Sequence, residues 1–124
     1  MNKFLLFFIF IYSVSFSQTS NSPKVETIDN DFSKNLITQN IKIIDVRTPK
    51  EFNNGHIPNA TNIDIKSSDF MTKISNLNKK IPYLIYCKSG NRSGKASAIM
   101  DSLGFSKIYD LKGGFSKWSL ENKK

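Results

Sequence analysis

The chain has 124 residues, 39% of them hydrophobic and 12% aromatic, with six glycines and a formal charge of +8. That length supports one domain with one core, and so even a composition excludes disordered, collagen-like and coiled-coil chains, each of which needs a strong skew. The positive charge does not indicate nucleic acid as a partner: only two of the 18 cations, Arg47 and Arg92, are arginines, and no basic run exceeds two residues, whereas base recognition leans on arginine forks and clustered charge.

The first residues have the anatomy of a secretory leader. Lys3 precedes an unbroken apolar run from Phe4 to Tyr12, and the small residues Ser13, Ser15 and Ser17 follow. This predicts a signal peptide over residues 1–17, cut between Ser17 and Gln18. The apolar run is too short to cross a bilayer, so the expectation is export, to a periplasm first or to the outside, with no stable membrane insertion after cleavage. Residues 18–24 are polar, contain Pro23 and read as a flexible mature N-terminus. The folded domain is expected over residues 25–124.

Within that domain short β-branched runs alternate with helical patterns, the signature of a parallel α/β sheet. Strands are predicted at Val25–Ile28, Ile41–Val46, Ala60–Ile63, Tyr83–Tyr86 and Lys107–Leu111. The second and fourth are apolar on both faces and read as central strands covered on both sides. A first helix begins after the cap candidates Asp29 and Asp31, buries Phe32 and Leu36 together and stops at Asn40. A second opens on the capping box Thr48-Pro49-Lys50-Glu51, with proline at the first helical position, where its missing N–H costs nothing. A third carries the stripe Phe70, Ile74 and Leu77 behind Ser67 and Ser68. A fourth carries Ala96, Ile99, Met100 and Leu103 and ends at Gly104 with Phe105 behind it, the pattern of a left-handed C-cap.

The chemistry is expected where the fourth strand gives way to that fourth helix, at Cys87-Lys88-Ser89-Gly90-Asn91-Arg92-Ser93-Gly94. Ligands of open α/β sheets bind outside the carboxyl ends of the strands. The chain has one cysteine and one histidine, so an internal disulfide and a His/Cys metal cluster are both excluded, and no metal site is expected. The glycines let successive amides turn toward the sulfur, and the helix that follows adds its positive end. Lys88 and Arg92 add full charges. Each of these favours thiolate over thiol. Donors and acceptors would meet an exposed loop with little wall around it. His56 reads as structural, Asp45, Arg47 and Glu51 as a charged cluster supporting the loop, Gly113 and Gly114 as a place of close backbone approach, and Trp118 as core.

Three motifs in order give the chain a resemblance to single-domain rhodaneses of the exported bacterial type: Asp45-Val46-Arg47 continuing through Glu51-Phe52 and Gly55-His56-Ile57 to Ala60 and Asn62, the loop Cys87-x-x-Gly90-x-Arg92-Ser93, and Leu111-Lys112-Gly113-Gly114 with Trp118. Two departures stand out, Asn59 where the family usually has glycine and Asp64 where proline is common. The resemblance implies a rhodanese-like α/β domain with a mostly parallel five-stranded sheet and helices on both faces. It also implies a thiosulfate sulfurtransferase that needs no cofactor. Cys87 would carry a persulfide, with Lys88, Ser89, Gly90, Asn91, Arg92 and Ser93 as the substrate-binding loop. The partners implied are a small anionic sulfur donor and a thiol or cyanide acceptor, a thioredoxin-like protein among the thiols. Two other readings remain: a persulfide carrier or redox-partner docking module with little turnover, and a Cys-based phosphatase or arsenate reductase. The second is weakened by the loop, which places four residues rather than five between Cys87 and Arg92 and has Tyr86 before the cysteine.

Overall fold

The computed structural model describes residues 9–15 and 23–123. Most of the expected leader and its cut at Ser17/Gln18 lie outside the described residues. Residues 9–15 are exposed and form neither helix nor strand. Among the described residues no helix is long and apolar enough to cross a membrane.

Among the described residues, five strands and five helices alternate in chain order: β1 (Val25–Ile28), α1 (Asn30–Thr38), β2 (Lys42–Asp45), α2 (Pro49–Asn53), β3 (Thr61–Asn62), α3 (Phe70–Ser75), β4 (Tyr83–Tyr86), α4 (Asn91–Ser102), β5 (Ile108–Leu111) and α5 (Gly114–Glu121). The strands form one sheet in the order β1-β5-β4-β2-β3, and every pairing is parallel. β4 is central, and all four of its residues are buried, as a strand covered on both faces requires.

The two faces carry separate apolar clusters. On one, Ile44, Ile85 and Ile108 of the sheet meet Phe70 and Ile74 of α3 and Ala96 and Met100 of α4, with Phe105 behind them. On the other, Ile43, Leu84 and Leu111 meet Leu36 of α1, with Phe115 and Trp118 of α5 packed against them. Alternate residues of each strand serve opposite faces, so one period-two sequence supplies both cores.

Local signals explain where the helices begin and end. Asp29 caps α1 by accepting from Phe32 N at 2.8 Å. Asn40 stops it with φ +59°, a conformation asparagine tolerates better than most residues. Gly104 follows α4 at φ +92°. The capping box of α2 is complete: Thr48 Oγ1 accepts from Glu51 N at 3.3 Å, and the Glu51 carboxylate reaches back to Thr48 N. Two expectations need correction. Phe32 does not join Leu36 in the core; it is 42% exposed and lies against Tyr109 on the surface, because the stripe of α1 is narrower than its sequence period implies. Trp118 is half-buried, covering the second cluster from outside, and its indole N–H has no partner.

Candidate active site

β4 runs out at Tyr86, and Cys87 begins a short loop that Gly90 turns into α4. Gly90 is the N-cap residue at φ +112°, a conformation that side-chain-bearing residues rarely adopt, and it aims the Gly90 amide at the sulfur. Gly90 N donates to Cys87 Sγ at 3.1 Å, and Ser93 Oγ lies 3.5 Å from the same atom. The twelve residues of α4 then point their amino end at the sulfur, the positive end of the helix dipole.

Cys87 is 1% exposed, so the sulfur itself is covered although the loop that carries it is largely at the surface. Lys88, Ser89 and Asn91 are exposed around it, while Gly90 and Arg92 are half-buried and Ser93 is fully buried. Burial pushes the Cys87 thiol up, but hydrogen bonds from the Ser93 hydroxyl and from the Ser93, Gly90 and Ser89 amides outweigh it, and the net shift is downward. Acidification was expected from Lys88 and Arg92 as well; the leading causes are hydrogen bonds from the loop and not these two cations. A lowered pKa raises the share of thiolate, the nucleophilic form of the sulfur.

Arg92 has a different role from the one expected. Its Nη1 and Nη2 donate to Glu51 Oε1 and Oε2 at 2.7 and 2.9 Å. The guanidinium is engaged as a fork on a carboxylate, the strong geometry for this pair. The contact holds Glu51 at a pKa of about 2 and raises that of Arg92. Glu51 thus closes the capping box of α2 and clamps the first turn of α4.

Asp45 and Arg47 pair with each other and not with Glu51. Arg47 Nη2 meets Asp45 Oδ2 at 2.7 Å, with 4% and 0% of the two side chains exposed. The guanidinium also donates to Gly55 O at 2.7 Å and lies 4.3 Å from the centre of the Phe115 ring. This cluster ties the end of β2 to the turn after α2 and to α5. Asn62 of β3 adds a brace, its Nδ2 donating to Asp45 O and Arg47 O at 3.0 and 2.9 Å. Tyr86 is fully buried; its hydroxyl accepts from Ile57 N at 3.1 Å, and burial with Asp45 nearby raises its pKa. His56 is exposed and stacks on Phe52 with ring centres 3.7 Å apart, in keeping with a structural role.

The close approach expected at Gly113-Gly114 is present and supports the loop directly. A Cβ on Gly114 would lie 2.5 Å from Cys87 O and 2.6 Å from Lys88 C. That contact lets Phe115 N donate to Cys87 O at 2.8 Å and Ser116 N to Lys88 O at 3.0 Å, so the first turn of α5 holds the start of the cysteine loop from below. One residue beside the loop gave no signal in the sequence: Asp110 of β5, whose Oδ2 would lie 3.8 Å from a Cβ on Gly94 in the first turn of α4. Its place there follows from β5 lying next to β4, which the order of strands along the chain does not reveal.

Residues 29–121 match the family model for the Rhodanese-like domain. Among curated proteins, the chain is 40% identical over 77 residues to an uncharacterised protein of Bacillus subtilis, YqhL, covering 62% of this chain and 60% of that one. It is 30% identical over 118 residues to Thiosulfate sulfurtransferase 18 of Arabidopsis thaliana, covering 86% of this chain and 87% of that one. Among solved structures, a rhodanese-related protein of Thermoplasma volcanium superposes with a TM-score of 0.71 at 31% identity, over 80% of this chain and 95% of that one. With the parallel five-stranded sheet, the cysteine loop between β4 and α4 and this family match in agreement, the chain belongs to the rhodanese-like domain family.

Proposed function

We propose that the protein is a sulfurtransferase that moves a sulfane sulfur from thiosulfate, or a similar small anionic donor, to a thiophilic acceptor through a persulfide on Cys87. The observation that carries this reading is a single acidified sulfur seated at the amino end of α4, with Gly90 N and Ser93 Oγ directed at it. The Cys87 thiolate attacks the outer sulfur of thiosulfate. A sulfur–sulfur bond to Cys87 forms, the bond to the sulfonate sulfur breaks, and sulfite leaves with the electron pair. The acceptor then attacks the outer persulfide sulfur and Cys87 departs as thiolate, stabilised by the groups that lowered its pKa. The exposed Lys88 ammonium supplies charge for the sulfonate. The Arabidopsis relative's name supports this donor.

The acceptor in this reading is cyanide or a thiol, with a thioredoxin-like protein as the thiol partner, and the compartment is the periplasm or the exterior, reached through the N-terminal leader. A persulfide carrier with little turnover is the second reading, favoured by one observation: Arg92 is held by Glu51, which reduces the charge available to an anionic donor. The same engagement counts against a Cys-based phosphatase or arsenate reductase, whose loop arginine must face the oxyanion.

Intact-protein mass spectrometry before and after thiosulfate, then after cyanide, tests the proposal. The expected result is a gain of about 32 Da that cyanide removes and that Cys87→Ser abolishes, together with steady-state turnover. A stable gain without turnover would establish the carrier; no gain with an alkylatable thiol would exclude thiosulfate as donor.

A further inference from the structure

The chain has two arginines, and a carboxylate holds each of them. Arg47 is taken by the buried Asp45, and Arg92 by Glu51, whose two oxygens meet both Nη atoms at 2.7 and 2.9 Å. Glu51 does not merely follow Arg92. Its own helix fixes the carboxylate, through Thr48 N at 3.4 Å and the Thr48 hydroxyl at 3.1 Å, so the capping box presets the place to which Arg92 is drawn. Lys88 is the cation beside Cys87 that makes no ion pair among the described residues.

Arg92 belongs to the first turn of α4, between Gly90, whose amide lies 3.1 Å from Cys87 Sγ, and Ser93, whose hydroxyl lies 3.5 Å from it. A helix amino end and loop amides already favour an anion. A free guanidinium fork would add the group that grips two oxygens of a tetrahedral oxyanion at once, which the point charge of a lysine does not do. We infer that Glu51 is a specificity-determining residue: by engaging the Arg92 fork it keeps tetrahedral oxyanions from lodging over Cys87. The inference rests on the reading of Cys87 as the sulfur-accepting nucleophile and deepens it. Thiosulfate then meets the loop through its outer sulfur while Lys88 alone attends its sulfonate, sulfite leaves without a clamp to break, and inorganic sulfate and phosphate compete weakly for the site.

The test uses sodium sulfate, which has the tetrahedral face of a sulfonate and no transferable sulfur. Its protection of Cys87 against iodoacetamide is read by intact mass on the full chain, at fixed pH, with sodium chloride holding the ionic strength constant. Wild type, Glu51→Gln, Glu51→Ala, Arg92→Lys and the double variant Glu51→Ala/Arg92→Lys are compared, each checked for folding by circular dichroism. Sulfate is expected to protect Glu51→Ala at a concentration about tenfold or more below that needed for wild type, the worth of a charge-assisted bond gained. Glu51→Gln should fall between them, because its amide oxygen still accepts from the arginine. The double variant keeps the charge and loses the fork, and should retain less than about a third of the gain. A merely structural Glu51 would loosen the loop and weaken protection, so the direction of the change separates the two roles. Folded Glu51 variants within about threefold of wild type overturn the inference, as does a larger share of the gain kept by the double variant, which would assign it to charge without the fork. Arg92→Lys alone needs no Glu51 variant: it should leave the protection of wild type unchanged, and a loss beyond about threefold would show that the guanidinium already serves the anion. Neither reagent donates sulfur, so this outcome is separate from any failure of sulfur transfer.

Discussion

Glu51 and Arg92 meet as a two-point fork, Nη1 on Oε1 at 2.7 Å and Nη2 on Oε2 at 2.9 Å, across 41 positions of sequence. The carboxylate that closes the capping box of α2 therefore also fixes the helix that follows the reactive cysteine, coupling two neighbouring segments at the carboxyl end of the sheet.

That coupling carries a pH signature. Glu51 is held at a pKa of about 2 against an ordinary 4.5. A lowered folded-state pKa contributes stability that is complete above the unfolded value and is lost as pH falls toward 2. Both side chains are partly exposed, at 21% and 29%, so the contribution at neutral pH is on the order of 1–2 kcal/mol after screening. Urea unfolding of wild type and Glu51→Gln at pH 7 and pH 3 should show a gap of that size narrowing toward acid. A gap that is constant with pH would contradict the assignment.

Arg47→Met should be among the most damaging single substitutions. It leaves Asp45, which is 0% exposed, as a buried carboxylate without its partner, a change that costs about 3–5 kcal/mol. Urea denaturation measures it, and a loss below about 1 kcal/mol would show that the pair is dispensable.

Gly114→Ala should displace the cysteine loop from behind. The added carbon would lie 2.5 Å from Cys87 O at a residue whose φ is +57°. Strain at such a position costs about 1–3 kcal/mol before the clash is counted. The expected result is a melting temperature lowered by several degrees together with slower alkylation of Cys87. Unchanged alkylation would separate α5 from control of the loop.

Lys88 and Arg92 should divide by phenotype. Lys88 is exposed beside Cys87 and Arg92 is held by Glu51. Lys88→Gln is expected to raise KM for thiosulfate severalfold with little change in melting temperature, and the effect should weaken with added salt. Arg92→Gln is expected to lower the melting temperature as well. Steady-state kinetics and thermal melts of the two variants decide it; equal destabilisation by both would refute the division.

The sequence made legible what local chemistry dictates. The capping box at Thr48–Glu51, the stop at Asn40 and the buried run Tyr83–Tyr86 all depend on neighbours within a few residues, and all stand as read. Asn59, one of the two departures from the family pattern noted in the sequence, has a φ of +68°, a left-handed conformation that asparagine tolerates better than most residues. Features that depend on who lies across the fold were not legible. Phe32 fits the period of α1 yet faces outward, because periodicity marks a stripe without fixing its width. The partner of Arg92 could not be read from its own loop, since Glu51 comes within reach only when β2 and β4 pair. Asp110 was silent for the same reason, a carboxylate in a short strand whose neighbours are set by sheet order.

Cys87 is the single cysteine of the chain, and it is buried. A chain with one thiol has no resolving partner, so a sulfur bound there cannot be passed internally or trapped as an intramolecular disulfide, and unloading always takes a second molecule. The same holds for damage: once Cys87 is oxidised to a sulfenic acid, only an outside thiol can return it to the cycle before further oxidation becomes irreversible. Under the proposed function the lifetime of a loaded protein is therefore set by its surroundings, and the low exposure of the sulfur slows that exchange.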